Sequence, residues 1–301
     1  MALIDLHIHS DKSDGEYSPG DVVRLAADAG LRVMALTDHD TTGGIDEALE
    51  AASRISGAAR DGAAGEAAAF RCIPGIEITT AHAREQHILG YLIQYGKPSF
   101  RDFTKRLSSL RRERAYNILE YLNKRGVPLS YEQVRRSSAG GANDYIGRPQ
   151  IAREMMRRGY AASVKEVFDE YFTGEGFRAV PRPKPSAEES IGEIRAAGGV
   201  AVLAHPYSTG LRGPELAARL KALKAQGLEG VECHYGVYAR ADTRDCVRMA
   251  DSLGLIVTGG SDFHGPHIKP GVRIATGRDG MLDFDDRSAV ERLEAAARER
   301  S

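Results

Sequence analysis

Residues 2–10 read Ala2-Leu3-Ile4-Asp5-Leu6-His7-Ile8-His9-Ser10. An apolar run ending in two histidines, two positions apart, suits a buried strand that presents both imidazoles on one side near its carboxyl end. Further along, short apolar runs recur between longer helical patterns. Strands are predicted at 2–9, 32–37, 72–79, 87–93, 200–205, 228–233 and 255–258, and helices at 19–29, 45–56, 187–197, 214–226 and 241–253. Alternation of this kind makes βαβ units around a mostly parallel sheet, an α/β fold. Ser18-Pro19 reads as an N-cap followed by a proline at the first helical position. Gly30, Gly198 and Gly254 each follow a helical pattern, where a left-handed C-cap belongs.

The alternation stops between 100 and 172. Four consecutive helical patterns (103–125, 131–136, 149–158 and 163–171) have no strand between them, so this stretch is expected to be an inserted helical subdomain. The parent domain would then be 1–99 with 173–301, re-entered through the proline-stiffened link Val180-Pro-Arg-Pro-Lys-Pro185. Residues 62–69 are small and polar and are expected to form a loop.

Composition removes several classes. With 42% hydrophobic and 28% charged residues the 301-residue chain is globular, not disordered or collagenous. Three cysteines without paired spacing argue against a disulfide framework or a zinc ribbon, and favour a reducing cytoplasm. No stretch of about 18 apolar residues could span a bilayer, and the N-terminus has no signal-peptide pattern. No obligate protein partner is evident. A net charge of −1 excludes a protein that is basic throughout, though not one that is basic in part. Residues 101–160 hold 14 Lys and Arg against 6 Asp and Glu, a local +8, and the rest of the chain carries −9.

The ionisable residues collect where an α/β fold keeps its ligands, at strand carboxyl ends and the loops after them. Asp5, His7 and His9 close the first strand pattern and Asp14 follows; Thr37-Asp38-His39-Asp40 closes the second; Glu77 lies near the end of the third. His87 begins the next pattern, His205 ends another, and Asp262 and His264 follow the last. Imidazole nitrogen mixed with carboxylate oxygen, without thiolate, suits divalent Zn, Mn or Fe. Nine ligands (His7, His9, Asp14, His39, Glu77, His87, His205, Asp262 and His264) exceed what a single ion takes, so two or three ions are expected.

These residues stand in Asp5-Leu-His-Ile-His-Ser10, Thr37-Asp-His-Asp40, Gly75-Ile-Glu77, His87, Ala204-His-Pro206 and Gly260-Ser-Asp-Phe-His264. In order and spacing they resemble the motifs of the PHP (polymerase and histidinol phosphatase) superfamily. Ile146-Gly-Arg-Pro-Gln-Ile-Ala-Arg153 and the long insert are similar to its nucleoside-bisphosphate phosphatase and 5′-to-3′ exonuclease branch. The resemblance implies a distorted (β/α)7 barrel of the PHP type. It implies one ion on His7, His9, Glu77 and Asp262, a second on Asp14, His39 and the shared Glu77, and a centre completed by His87, His205 and His264. Asp38 and Asp40 are expected to orient neighbouring histidines.

Two departures bear on substrate. Gln150 stands where the branch often carries histidine, and 171–177 lacks a lysine that the branch often has, so Arg178, Arg182 or Lys184 would have to take its place. The expected activity is hydrolysis of nucleotide phosphate monoesters (a 3′,5′-bisphosphate, a nucleoside monophosphate or the 5′ end of short RNA) by a metal-bridging hydroxide. His205, His264 and Arg148 are the expected catalytic residues, and Arg148, Arg182, Lys184 and His267 the expected substrate contacts, because guanidinium forks match phosphate oxygens. His234 and His267 are the candidates for protonating the leaving group. Alternatives are a histidinol-phosphate or cyclic-phosphate esterase of the same superfamily, a metal-binding module without turnover, and an amidohydrolase-type carbon–nitrogen hydrolase.

Overall fold

The computed structural model describes residues 3–61, 70–137 and 146–300, and the side chains of all of these but 58–61; the loop expected at 62–69 lies outside them. Seven strands form one sheet in chain order: β1 (Ile4–Ile8), β2 (Val33–Leu36), β3 (Arg71–Thr79), β4 (His87–Tyr91), β5 (Val200–Leu203), β6 (Gly230–Tyr235) and β7 (Ile256–Gly260). After β7 the chain returns to the end of β1, where Asp262 N donates to His7 O at 2.8 Å and His9 N to Phe263 O at 3.0 Å. These bonds bring the sheet round into a nearly closed barrel.

β1, β2 and β3 pair in parallel, as do β5, β6 and β7, but β4 is antiparallel to both of its neighbours. The reason lies in the connection: only residues 80–86 join β3 to β4, and a parallel return needs a crossover of about a dozen residues or more. Reversal has a functional result. The first residue of β4, His87, lies at the end of the barrel where the parallel strands finish, opposite Thr79 in the register.

Around the barrel lie α1 (Pro19–Asp28), α2 (Ile45–Asp61), the start of α3 (Pro98–Lys124) and the later helices numbered below. Ser18 accepts from Asp21 N at 3.1 Å as the N-cap of α1. Gly30, Gly198 and Gly254 all have positive φ. Val22, Val23, Met34 and Leu36 fill the layer between sheet and helices, and Ile4, Leu6, Leu89, Tyr91, Val200 and Val202 belong to a second core.

The chain forms two compact units, Met1–Thr104 with Pro185–Ser301, and Lys105–Lys184. The second unit comprises most of α3 together with α4 (Tyr131–Ser137), α5 (Arg148–Arg157), α6 (Val164–Glu170) and α7 (Gly174–Arg178). It has its own core, including Ile118, Leu122, Val134, Ile151, Met155, Phe172 and Phe177. The unit runs past residue 172 because Phe177 packs against Tyr121 and Phe172, and Asn117 Nδ2 donates to Pro181 O at 3.0 Å. In the first unit follow α8 (Ala187–Ala196), α9 (Gly213–Ala225), α10 (Arg240–Ser252) and α11 (Arg287–Arg298). α7 and α11 have no counterpart among the expected helices. The spacing of buried Ala289, Val290, Leu293 and Ala297 in α11 is helical and joins the barrel core.

Candidate metal centre

The nine predicted ligands come together at one end of the barrel. Glu77, on β3 and wholly buried, is the hub. Its Oε2 lies 3.1 Å from His7 Nε2, 3.2 Å from His9 Nε2 and 3.0 Å from His39 Nδ1; its Oε1 lies 2.8 Å from His87 Nδ1 and 2.9 Å from His205 Nε2. Five histidines from different parts of the chain thus face one carboxylate. The backbone fixes this arrangement: Glu77 N donates to Asp38 O and Asp40 N to Glu77 O, so the loop after β2 continues the sheet and carries His39 beside Glu77.

Asp262 forms a second focus. Its Oδ1 is 3.2 Å from His9 Nε2, 3.5 Å from His7 Nε2 and 3.3 Å from His264 Nδ1. Tyr235 OH donates to Oδ2 at 2.7 Å, and Lys269 Nζ contacts the same oxygen. Asp14 Oδ1 lies 3.3 Å from His264 Nε2. Three overlapping groups have ligand atoms close enough to share an ion: His7, His9, Glu77 and Asp262; His9, Asp14, His39 and His264; and His39, Glu77 and His87. The first is the set expected for one ion. The second brings Asp14 and His39 together with His9 and His264, while His39 meets Glu77 in the third group, so Asp14 and Glu77 fall in different groups.

The donor atoms fit metal ions better than they fit each other. His7 Nε2, His9 Nε2, Asp14 Oδ1, His39 Nδ1 and Glu77 Oε2 are buried and make no hydrogen bond, although several lie within about 3 Å of one another. An orphaned buried polar atom costs roughly 1–3 kcal/mol, and lone pairs converging on one point are satisfied together by a cation. Electrostatics agree. Burial would raise Glu77, but His39, His7 and His87 hold it well below the ordinary carboxylate range; Asp262 is likewise lowered by Lys269, His7 and His264 against burial. Burial pushes the His39 imidazole down to about 3, which favours the neutral, ligating form.

Other predicted residues fall differently. Asp38 does not bond an imidazole directly: it accepts from Ser10 N at 2.8 Å, from Ser10 Oγ and from Ser13 Oγ, and Ser13 Oγ is 3.5 Å from His9 Nδ1. Asp40, at φ 55°, accepts from Thr79 N at 2.8 Å. Both shape loops that carry ligands, because a short carboxylate bonds nearby backbone and hydroxyl donors more readily than a distant ring. His234 packs on Phe284, and burial lowers its imidazole. His267 is 90% exposed and sits against Glu16. Neither joins a ligand group among the described residues.

In the helical unit Arg148 opens α5 with its guanidinium 5.5 Å from the Phe168 ring centre, and Arg182 lies 4.9 Å from that of Phe177. Burial and the Arg148 charge both lower Arg182, so the two guanidiniums lie within electrostatic reach. Arg178 is exposed in α7, and Lys184 is half-buried. Gln150 Oε1 accepts from Gly147 N at 3.0 Å, a capping-box contact in place of a histidine.

Sequence reasoning gave no role to four participants: Glu232, Asp5, Tyr235 and Lys269. Glu232, fully buried on β6, meets His7 and His205; its one signal is an acid inside the apolar run Val231-Glu-Cys233. Asp5 accepts from Ser261 N at 2.8 Å and Ala275 N at 3.0 Å and so clamps the loop bearing Asp262. Tyr235 and Lys269 act together on Asp262. A further requirement is space: a Cβ on Gly260 would lie 2.3 Å from that of His7, so β7 can approach β1 here only without a side chain.

A nearly closed α/β barrel with a histidine–carboxylate cage at its strand ends defines a metal-dependent hydrolase. The chain belongs to the PHP family: the PHP domain model matches residues 5–197. It is 32% identical over 270 residues to the 3′,5′-nucleoside bisphosphate phosphatase of Chromobacterium violaceum, covering 88% of both chains. It is 32% identical over 268 residues to the 5′-3′ exoribonuclease Rnm of Salmonella typhimurium, covering 88% of this chain and 86% of that one. A solved structure from Bifidobacterium adolescentis, named for metal-dependent phosphoester hydrolysis, superposes with a TM-score of 0.80 at 27% identity, over 97% of this chain and 96% of that one. The protein is a metal-dependent phosphoester hydrolase. Among the described residues no helix is long and apolar enough to cross a membrane.

Proposed function

We propose that the protein removes phosphate from nucleotides, with a nucleoside 3′,5′-bisphosphate, a nucleoside monophosphate or the 5′ end of a short RNA as substrate. The observation that carries this reading is the Glu77 hub, a buried carboxylate shared by five histidines. His7, His9, Glu77 and Asp262 would hold one divalent ion, Asp14, His39 and His264 would contribute to a second, and His87 beside Glu77 to a third, drawn from Mn, Zn or Fe. Such ions supply an acidified water and positive charge for the phosphoryl oxygens.

The chain's own groups do the rest. Asp262 is restrained at Oδ2 by Tyr235 and Lys269, which keeps Oδ1 turned to the histidines. His205 has Nε2 engaged on Glu77 and is assigned proton handling at Nδ1; His264, with Nδ1 on Asp262 O and Nε2 3.3 Å from Asp14 Oδ1, is assigned to the second ion instead. Arg148 and Arg182, each backed by an aromatic ring, with Lys184, are assigned the grip on phosphate oxygens. The local +8 of residues 101–160 supports an anionic, nucleotide-sized ligand, and the activities named for the relatives point the same way. Cysteine usage supports a cytoplasmic setting.

The test is phosphate release with Mn²⁺ over nucleoside monophosphates, 3′,5′-bisphosphates, 5′-phosphorylated short RNA, histidinol phosphate and cyclic phosphates. Release from the first three groups above the others is expected. With bound metal verified, silence on every nucleotide substrate overturns the proposal. In the same assay Arg148→Ala should lose about 10–100-fold in kcat/KM, the range of a charge-assisted contact worth roughly 1.5–3 kcal/mol; unchanged kinetics remove Arg148 from the site.

A further inference from the structure

We propose that Glu232 is the positioning residue of the metal centre: its single carboxylate sets the proton-bearing nitrogen of His7 and the backbone of His205 together. The inference rests on reading the cage as a metal site and goes beyond the ligands.

Glu232 lies on β6 with no exposure to solvent. Its Oε1 is 2.9 Å from His7 Nδ1, and its Oε2 accepts from His205 N at 2.8 Å. An ionised carboxylate oxygen only accepts, so with an ion in the cage this contact puts the His7 ring proton on Nδ1. Nε2 is then the bare nitrogen, the one that faces Glu77 Oε2 and Asp262 Oδ1. Were the proton on Nε2 instead, His7 would point an N–H into the cage and could not ligate there. Outer carboxylates of this kind fix imidazole tautomer and direction in metal sites generally.

The second oxygen acts on a different strand. His205 has φ 25° and ψ 64°, a conformation that residues with side chains rarely adopt. It turns the chain sharply after β5, and it is this turn that brings Nε2 to Glu77 Oε1 at 2.9 Å. Accepting from His205 N, Glu232 Oε2 anchors the turn from inside the barrel. Both lone-pair directions of one buried side chain are thus committed to two ligands, on β1 and just after β5, which are not neighbours in the sheet. A residue present only to fill the core would not need a charged group there; a well-packed apolar side chain would serve at least as well.

The experiment uses the full-length protein loaded with zinc, its histidine ring nitrogens read by ¹⁵N NMR, alongside zinc affinity by chelator competition and thermal unfolding of the metal-free form. In the wild type the His7 proton is expected on Nδ1, in slow exchange with water. Glu232→Gln keeps the size but offers one acceptor where two are used. It should weaken zinc binding about 10–100-fold, the range for outer-sphere partners, while the metal-free protein unfolds at nearly the wild-type temperature. Glu232→Asp, with a carboxylate on a shorter stem, should recover part of that loss. Wild-type zinc affinity in Glu232→Gln, or a His7 proton on Nε2, overturns the proposal. If the variants do not fold, the wild-type tautomer decides alone: Nδ1–H supports it and Nε2–H overturns it. None of these readouts involves phosphate release, so failure of the proposed substrate reading would leave them unaffected.

Discussion

The barrel unit and the helical unit both carry many charges, but they hold them in opposite ways. In the barrel, Glu77, Asp262, His7 and His9 are buried, come from three separate parts of the chain, and are kept below or above their ordinary titration ranges by buried neighbours of opposite charge. In the helical unit several ion pairs are local and largely exposed: Glu120 with Lys124, Lys165 with Asp169, Glu132 with Arg135. Pairs of that kind contribute about 0–1 kcal/mol each. Glu154 is the intermediate case, a buried carboxylate held down to about 2 by Arg157 and then Arg158 at helical spacing. The lesson is that charge density alone does not mark a site. Burial combined with long-range assembly does.

The most severe way to break this contrast is to remove the hub. Glu77→Gln should lose more metal affinity and more phosphate-releasing activity than the roughly 100-fold that loss of an outer partner brings, and both would be read on the same preparation by metal analysis and a release assay. A variant that retains both near wild-type levels would show that Glu77 is not shared among the ions.

A smaller effect concerns metal-stripped protein. Burial alone would lower the His9 imidazole, but the Asp262 and Glu77 carboxylates hold it up to about 9, against an ordinary 6.5. Protonated His9 therefore stabilises the fold fully below about pH 6.5, and that contribution is lost as pH rises through about 9. Denaturant unfolding of the EDTA-treated protein should accordingly show stability falling across that window; a flat profile contradicts it. His39, lowered to about 3, is neutral in the folded state throughout and mostly neutral in the unfolded state above about pH 7.5, so its opposing contribution is confined to the lower edge of the window.

The smallest effect belongs to the helical unit and has the opposite sign. With its folded value depressed from 4.5 to about 2, Glu154 contributes stability above about pH 4.5 that is lost as pH falls through about 2. Glu154→Gln should unfold more easily than wild type near pH 7, by about 1–3 kcal/mol, with the gap closing at about pH 2. A gap independent of pH would mean that the carboxylate charge is irrelevant.

The seven strands and most of the helices were legible because strand ends here carry the ionisable residues in short, well-spaced motifs. His87 was legible as a site residue but not its geometry: only the reversal of β4 explains how the first residue of a strand meets the last residues of others. Glu232 was hidden for a physical reason, since its partner His7 is 225 positions away and nothing local distinguishes a functional acid in an apolar run from an incidental one. Lys269 was hidden similarly, because its role depends on Tyr235 and Asp262 meeting in space. For Asp38 and Asp40 the sequence shows the neighbouring histidine but not the Ser10, Ser13 and Thr79 N contacts, which come from other segments brought together by the fold.

The seam that completes the barrel has a kinetic consequence. The amides of His9 and Asp262, whose hydrogen bonds join the end of β1 to the chain beyond β7, belong to two residues of the cage itself. Opening that seam pulls apart the His9–Asp262 pair, so any ion held between them resists the opening. Deuterium uptake at these two backbone positions would then act as an occupancy gauge, slow when the centre is filled and fast when it is stripped, with no substrate required.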